Sequence, residues 1–299
     1  MTRRGWGLAA LALLLGAAPA QAQQAYEIKL KEAGKGAYVG VVRRVDQVQF
    51  KVTDNDGKVQ DVKIVGRSEA YVFRETVRER PAGQRPTRLE RRYDQAATWA
   101  EGALKSLPFE GKTVVITTKD GRYGFKVKGG DDVTGADAAP LEREFNQDKD
   151  DKAGLDKLLM PDRAVQVGET WKVPVEPLIK AFEKKGGTEF DAGKATGTGK
   201  LLSVYRRGGR RHGVFDFRVE LPLKAVELEK KPFKAEAGSK VTLAISVDAC
   251  IDGGDASYAL TVAFHLHGVA AVPDADNPQG RVTLDLRLTA AKTLKELPE

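Results

Sequence analysis

Two histidines near the C-terminus have the spacing of a metal-binding pair on a β-strand. His265 and His267 lie two positions apart in an alternating segment, so both imidazoles face the same side. A simple hairpin turn at 273–279 would place His267 opposite Asp285 and His265 opposite Arg287. A carboxylate beside two imidazoles is a partial metal site, whereas Arg287 would repel a cation. The pattern leaves two interpretations, a metal-dependent enzyme using His265, His267 and Asp285 or a polar sheet face, and we favour the second.

A basic cluster in the segment 205–212 indicates a different chemistry. Four arginines surround a Gly-Gly pair there, namely Arg206, Arg207, Arg210 and Arg211, and a second cluster comprises Arg85, Arg88, Arg91 and Arg92. Arginine forks bind sulfate, phosphate and carboxylate bidentately, so the expected partner is an anionic envelope polymer or a lipid headgroup. The alternative is a solvated hairpin tip. Nucleic acid is not expected, because the protein is predicted below to be exported and no set of aromatic residues for base stacking lies near these arginines.

The single cysteine, Cys250, has no predicted catalytic partner. Pairing across the turn at 252–255 places it opposite Ser257 and leaves His265 roughly 26 Å away along the strand. A packed thiol is therefore the expected state. The sequence has no phosphate-binding loop, serine-hydrolase elbow or zinc-type cysteine pair, and the acidic run 146–151 lacks the glycine and glutamate of a calcium loop. We therefore expect no catalytic residue and no cofactor.

Period-two alternation broken by turn residues predicts an antiparallel β region across 23–130. Within it, 58–80 and 87–99 have the pattern of two long strands with charged faces. The clearest hairpin surrounds an Asp-Gly turn. Across that turn at 120–121, the expected partners are Ile116 with Phe125 and Val114 with Val127.

The segment 131–160 holds nine acidic against four basic residues and predicts an acidic helical linker, after which strands resume in 161–299. The strand pattern there covers 241–249, 258–266 and 281–289. One face of these strands is bulky and apolar. The opposite face is small, and comprises Ala244, Ser246, Cys250, Ser257, Ala259, Thr261 and Ala263. Because small side chains let another element approach closely, we expect the short helix predicted at 177–185 to cover this face.

A short motif precedes that helix. Leu159-Met160-Pro161 is followed by the segment 165–171, which reads Val-Gln-Val-Gly-Glu-Thr-Trp. This arrangement resembles a motif of exported bacterial β-rich proteins of unknown function. The resemblance covers about a dozen residues and implies an uncharacterised, β-rich exported family. The residues themselves predict a tryptophan inserted into the core at a strand start. It transfers no catalytic residue.

The first 22 residues have the pattern of a cleavable secretory signal peptide. Arg3 and Arg4 precede an apolar run at 8–15 that is too short to span a bilayer, and Ala20-Gln21-Ala22 matches a cleavage site. No later apolar run approaches ~20 residues, so we expect no transmembrane anchor. These features predict a soluble periplasmic or secreted protein that begins at Gln23.

These patterns predict an α+β fold dominated by curved antiparallel sheets with a few short helices. A formal net charge of +7 is compatible with anionic neighbours. The function that we expect is non-enzymatic binding of an anionic partner through the arginine-rich turn. The alternative functions are carriage of an apolar ligand in a sheet-wrapped cavity and the metal-dependent chemistry described above.

Overall fold

The computed structural model describes residues 24–298 apart from 32–37, 55, 83, 101–102, 148–157, 185–187, 229–230 and 273–279. The signal peptide predicted at 1–22 and the centre of the acidic linker lie outside the described residues. Within them the fold is a β-dominated α+β fold with extensive antiparallel pairing, as predicted. No helix in the described part is long and apolar enough to cross a membrane.

The N-terminal region supplies one end of the main sheet. Its strands are β1 (Ala25–Tyr26), β2 (Tyr38–Thr53), β3 (Val59–Glu79), β4 (Arg88–Ala100), β5 (Ala103–Ser106), β6 (Thr113–Lys119) and β7 (Arg122–Val127). Helix α1 (Gly135–Glu142) follows and continues into a π-helical segment, Arg143–Gln147.

The C-terminal region supplies the other end. Its strands are β8 (Val165–Gln166), β9 (Thr170–Lys172), β10 (Thr188–Phe190), β11 (Thr196–Arg207), β12 (Arg210–Leu228), β13 (Lys231–Lys234), β14 (Lys240–Cys250), β15 (Tyr258–Ala271) and β16 (Arg281–Glu296). Helix α2 (Glu176–Lys184) lies between β9 and β10, one residue from the predicted position.

Fourteen of these strands form one antiparallel sheet. Its main path runs in the order β7-β6-β4-β3-β2-β16-β15-β14-β12-β11-β9, with β5 beside β4 and with β10 and β13 beside β12. Strand β2 pairs with β16 from Val39 opposite Glu296 to Thr53 opposite Thr283. The N-terminal and C-terminal regions are thus joined by a continuous ladder, which we call the seam.

The sheet presents two chemically different faces. Leu243, Phe264 and Leu288 lie in register on adjacent strands and define the helix face. Ala244 and Ala263 lie in register on the opposite side and define the open face. Paired residues point to the same side of a sheet, so residues that are in register across several strands all lie on one face.

The helix face carries two apolar cores, one on each side of the seam. The N-terminal core surrounds Tyr93, Phe109 and Ile116 and is covered by Leu141 and Phe145 from α1 and the π-helical segment. The C-terminal core contains the fully buried side chains of Phe215, Phe217 and Leu221, together with Ile179 of α2.

The predicted hairpins are confirmed. Ile116 pairs with Phe125 and Val114 with Val127 across the Asp-Gly turn. His267 pairs with Asp285 and His265 with Arg287. Alternation and turn residues fixed these registers because both strands of each pair are neighbours in sequence.

The prediction that α2 covers the small face is wrong. The helix packs on the bulky helix face, where the Phe182 ring lies 5.9 Å from that of Phe264 and 6.0 Å from that of Phe190. The small open face remains uncovered at its centre, where Ser246 and Ala263 are exposed. An amphipathic helix gains more by burying large apolar side chains than by approaching small ones closely, which explains the choice of face.

The motif around 165–171 has a clear packing role. Trp171 is buried against Phe215 and Phe217, and its indole nitrogen donates to the carbonyl oxygen of Leu159 at 2.9 Å. Gly199 lies directly opposite Trp171, and a Cβ there would overlap the indole ring. The sequence therefore places a tryptophan and a glycine at one contact.

Candidate functional site

The predicted arginine cluster lies at the tip of the β11–β12 hairpin, which we call the arginine hairpin. Gly208 and Gly209 form its turn with φ of +58° and +78°, which other residues rarely adopt. Arg206 pairs with Arg211 and Arg207 with Arg210. The four arginine side chains therefore project from the tip as two pairs, one pair on each face of the sheet.

The guanidinium groups of this hairpin form no ion pair with a carboxylate in the described part of the chain, although the charge of Arg210 helps to lower the pKa of Asp252. Arg206 donates to the carbonyl oxygen of Gly209 at 3.3 Å, and Arg207 donates to Nδ1 of His212 at 3.2 Å. Arg210 packs against Gly254, where any side chain would collide with its guanidinium group. Within the described ranges, none of the four arginines has a carboxylate oxygen within 4.0 Å. Their donors are therefore available to an external anion.

A buried network supports the open-face side of the arginine hairpin. His212 is only 1% exposed and stacks on Tyr205 with ring centroids 5.4 Å apart. The Tyr205 hydroxyl donates to both oxygens of Asp248, at 2.9 and 2.7 Å. Because arginine can only donate, Nδ1 of His212 accepts the hydrogen bond from Arg207. The network fixes the base of the hairpin.

Asp252 ties the neighbouring turn to the same hairpin. Its carboxylate accepts from the backbone nitrogens of Arg211 at 2.9 Å and Gly254 at 3.0 Å, and from Sγ of Cys250 at 3.1 Å. The Arg211 backbone N–H, followed by the Cys250 thiol, lowers the pKa of Asp252 well below its usual range. Asp252 thus stays ionised and holds the loop against the hairpin.

Cys250 has a histidine neighbour that the sequence interpretation missed. His212 lies directly opposite Cys250 across the β12–β14 ladder, whereas only His265 was considered. The same register pairs apolar residues of the two strands, and their alternation in the sequence could have revealed the contact. These pairs are Phe215 with Val247, Phe217 with Ile245 and Val219 with Leu243. The thiol is buried and donates to the Asp252 carboxylate, which places it in the packing of the loop at the base of the hairpin.

The second arginine cluster is different because its charges are engaged. Arg91 is buried and contacts Glu75 at 2.6 Å and Glu144 at 2.8 Å. Arg88 and Arg92 pair with carboxylates at 3.5 and 3.7 Å. The guanidinium of Arg85 lies over the Tyr123 ring at 5.1 Å. This cluster is therefore part of the N-terminal core and its rim.

The structure brings His265, His267 and Asp285 together on the open face. His265 Nε2 lies 2.9 Å and His267 Nδ1 3.6 Å from Asp285 Oδ2, while Arg287 donates to Oδ1 at 3.0 Å. Partial burial opposes ionisation of Asp285, but the hydrogen bond from His265 and the charge of Arg287 outweigh it and lower its pKa. The carboxylate is thus occupied by hydrogen bonds with His265 and Arg287, while His267 lies beyond hydrogen-bond distance. Among the described residues, no group of three or more histidine, cysteine and acidic side chains has an arrangement suited to a metal ion.

Comparison with known proteins adds no assignment. No family model matches this chain. No curated protein matches it at a significant level.

Proposed function

We propose that this chain is an exported, non-enzymatic protein that binds an anionic envelope polymer through the arginine hairpin. The observation that carries the proposal is the contrast between the two arginine clusters. The N-terminal guanidinium groups contact carboxylates or aromatic rings, while those of Arg206, Arg207, Arg210 and Arg211 are free of carboxylate partners in the described part of the chain. Unneutralised guanidinium groups on a fixed hairpin are suited to sulfate, phosphate or carboxylate groups.

The rigidity of the hairpin supports the same proposal. Tyr205, His212 and Asp248 pack beneath one side, and Asp252 bonds the backbone of Arg211. A preordered site loses less conformational entropy when a partner binds, so more of the interaction energy appears as affinity. Two arginine pairs that point to opposite faces suit an extended chain with repeated charges better than a single small anion.

Retention on a sulfated polysaccharide matrix tests this function. Replacing Arg206, Arg207, Arg210 and Arg211 with Ser is expected to lower the eluting salt concentration and to reduce the salt dependence of binding by about one unit of slope per lost contact. The matched control replaces four exposed, ion-paired arginines, Arg78, Arg88, Arg92 and Arg122, with Ser. Both variants lose the same net charge.

The outcomes separate site-specific from general attraction. Equal losses of retention in the two quadruple variants would contradict the proposal, because net charge alone would then explain binding. Thermal unfolding of each variant verifies that it is folded. Vesicles with anionic lipid provide a second arm: binding to vesicles without binding to the polysaccharide would replace the polymer by a lipid headgroup as the partner.

The alternative functions have less support from the contacts. The cavity at the seam on the helix face holds about 150 Å³, below the roughly 300 to 1,000 Å³ typical of pockets that enclose drug-sized ligands. A depression of about 480 Å³ lies within that range, but its lining includes the charged or polar side chains of Arg218, His265 and Arg287. Asp285 is held by His265 and Arg287, which leaves it poorly placed as a metal ligand. We therefore retain anionic-polymer binding as the proposed function.

A further inference from the structure

A small cavity lies on the helix face at the seam, away from the arginine hairpin. Its volume is about 150 Å³, and its floor is built from β16, β2 and β3. Glu144 of the π-helical segment forms part of its wall. The apolar part of the lining is Val39, Val41, Phe73 and Leu294.

The charged part of the lining does not balance. Three cations, Arg43, Arg91 and Lys292, face two carboxylates, Glu75 and Glu144, which leaves one positive charge. Glu144 accepts from Arg91 at 2.8 Å and pairs with Arg43 at 3.2 Å, and Glu75 contacts Arg91 at 2.6 Å. Both carboxylates are therefore already occupied by the two arginines.

Lys292 is the cation that forms no ion pair with a carboxylate among the described residues, although its charge helps to lower the pKa of Glu144. Its ammonium group lies 5.5 Å from the centre of the Tyr258 ring, on the C-terminal side of the seam. In the described part of the molecule no carboxylate oxygen approaches Lys292 Nζ within 4.0 Å. The side chain lies on the helix face because Lys292 is in register with Arg43. Its ammonium group thus lies over an aromatic ring and keeps its hydrogen-bond donors without an ion-paired acceptor.

Tyr71 lines the same cavity and supplies a second unused group. The residue is only 5% exposed, and its hydroxyl is the one buried side-chain nitrogen or oxygen atom among the described residues without a hydrogen-bond partner. Tyr71 is in register with Val41, which in turn pairs with Leu294, so its side chain lies on the helix face with the rest of the lining. A buried donor without an acceptor is costly, and a ligand oxygen would remove that cost.

We propose that this cavity binds a small monocarboxylate with an apolar body, of about the size of benzoate. A carboxylate would balance the surplus positive charge, accept from the Tyr71 hydroxyl and pair with Lys292, while its apolar body contacts the valines and Leu294. A cavity of about 150 Å³ is large enough for a benzene-sized group. The site is independent of the arginine hairpin.

Calorimetric titration of the full chain with sodium benzoate tests this site. Saturable binding is expected, and benzyl alcohol, which has a similar shape and no charge, should bind at least about tenfold more weakly. Lys292→Met keeps the aliphatic stem and removes the charge, and Tyr71→Phe removes only the hydroxyl. Each variant should weaken benzoate binding by about tenfold. The matched control is Lys295→Met, an exposed residue of the same strand on the opposite face, which should leave binding unchanged.

The thermal midpoint of Tyr71→Phe distinguishes a role of this hydroxyl in binding from a role in stability alone. Tyr71→Phe should raise the thermal midpoint of the unliganded protein, since it removes an unpaired buried hydroxyl, while it lowers benzoate affinity. Equal binding of benzoate and benzyl alcohol would overturn recognition of the carboxylate. No saturable binding of benzoate by the native chain would overturn the site itself. Serine variants of the arginine hairpin should bind benzoate normally, which keeps this test separate from that of the proposed function.

Discussion

The two arginine clusters use the same side chain for opposite purposes. Arg91 is enclosed between the Phe73 and Phe145 rings, at 4.2 and 4.8 Å, and its nitrogens contact two carboxylates. Arg206 contacts one carbonyl oxygen at a solvated tip. A buried cation requires complete compensation, whereas an exposed one does not. Ion pairing therefore distinguishes the arginine that stabilises the fold from those that we propose bind a partner.

The largest expected effect follows from removing the buried cation. Arg91→Met preserves apolar packing between the two rings but leaves Glu75 and Glu144 without their shared partner. Loss of one member of a buried ion pair typically costs about 3 to 5 kcal/mol of unfolding free energy. Chemical denaturation should show this loss.

Arg88→Met is the matched control for that substitution. Arg88 is exposed and its pair with Glu79 is 3.5 Å long, so we expect a change below about 1 kcal/mol. A similar small change for Arg91→Met would show that the N-terminal cluster is not needed for stability, and the contrast between the clusters would fail.

The second effect is a pH dependence that arises from Glu144. Burial opposes its ionisation, but the charges of Arg91 and Arg43 dominate and lower its pKa from 4.5 to about 2. Because the folded state has the lower pKa, the stabilisation is complete above pH 4.5 and is lost as the pH falls towards 2. The shift corresponds to about 3 kcal/mol as an upper value.

Denaturation of the native chain and of Glu144→Gln across that pH range isolates this contribution. The variant should be less stable at neutral pH, and its stability should fall less steeply between pH 4.5 and 2. Parallel profiles for the two proteins would assign the acid sensitivity to other carboxylates. Asp252 belongs to the hairpin network and is unchanged in both, so its own titration cancels in the comparison.

The sequence predicted the registers of strands that are neighbours in the chain and missed the contacts between segments that are distant in it. Alternation and turn residues placed His267 opposite Asp285, because one hairpin determines that register. They did not reveal the pairing of His212 with Cys250, which needs the order of strands in the sheet. Likewise, Leu89, Arg91 and Tyr93 alternate on one face and indicate that Arg91 points inwards, yet its partner Glu144 comes from another element.

The predicted sites divide in the same way. The convergence of His265, His267 and Asp285 was predictable from local pairing, as was the clustering of the hairpin arginines. The unpaired Tyr71 hydroxyl was not, since it depends on the absence of a partner from every neighbouring element. Sequence patterns report which residues share a face, but satisfaction of a buried group is a property of the whole packing arrangement.

The smallest expected effect on stability concerns Arg206 in the exposed arginine hairpin. Arg206 makes a single 3.3 Å hydrogen bond to the Gly209 carbonyl oxygen at the tip, so Arg206→Ser should change the unfolding free energy by less than about 0.5 kcal/mol. The same substitution should measurably lower retention on the sulfated polysaccharide. A loss of stability above about 1 kcal/mol would indicate that this guanidinium holds the hairpin itself, and the argument that its donors are reserved for a partner would lose its basis.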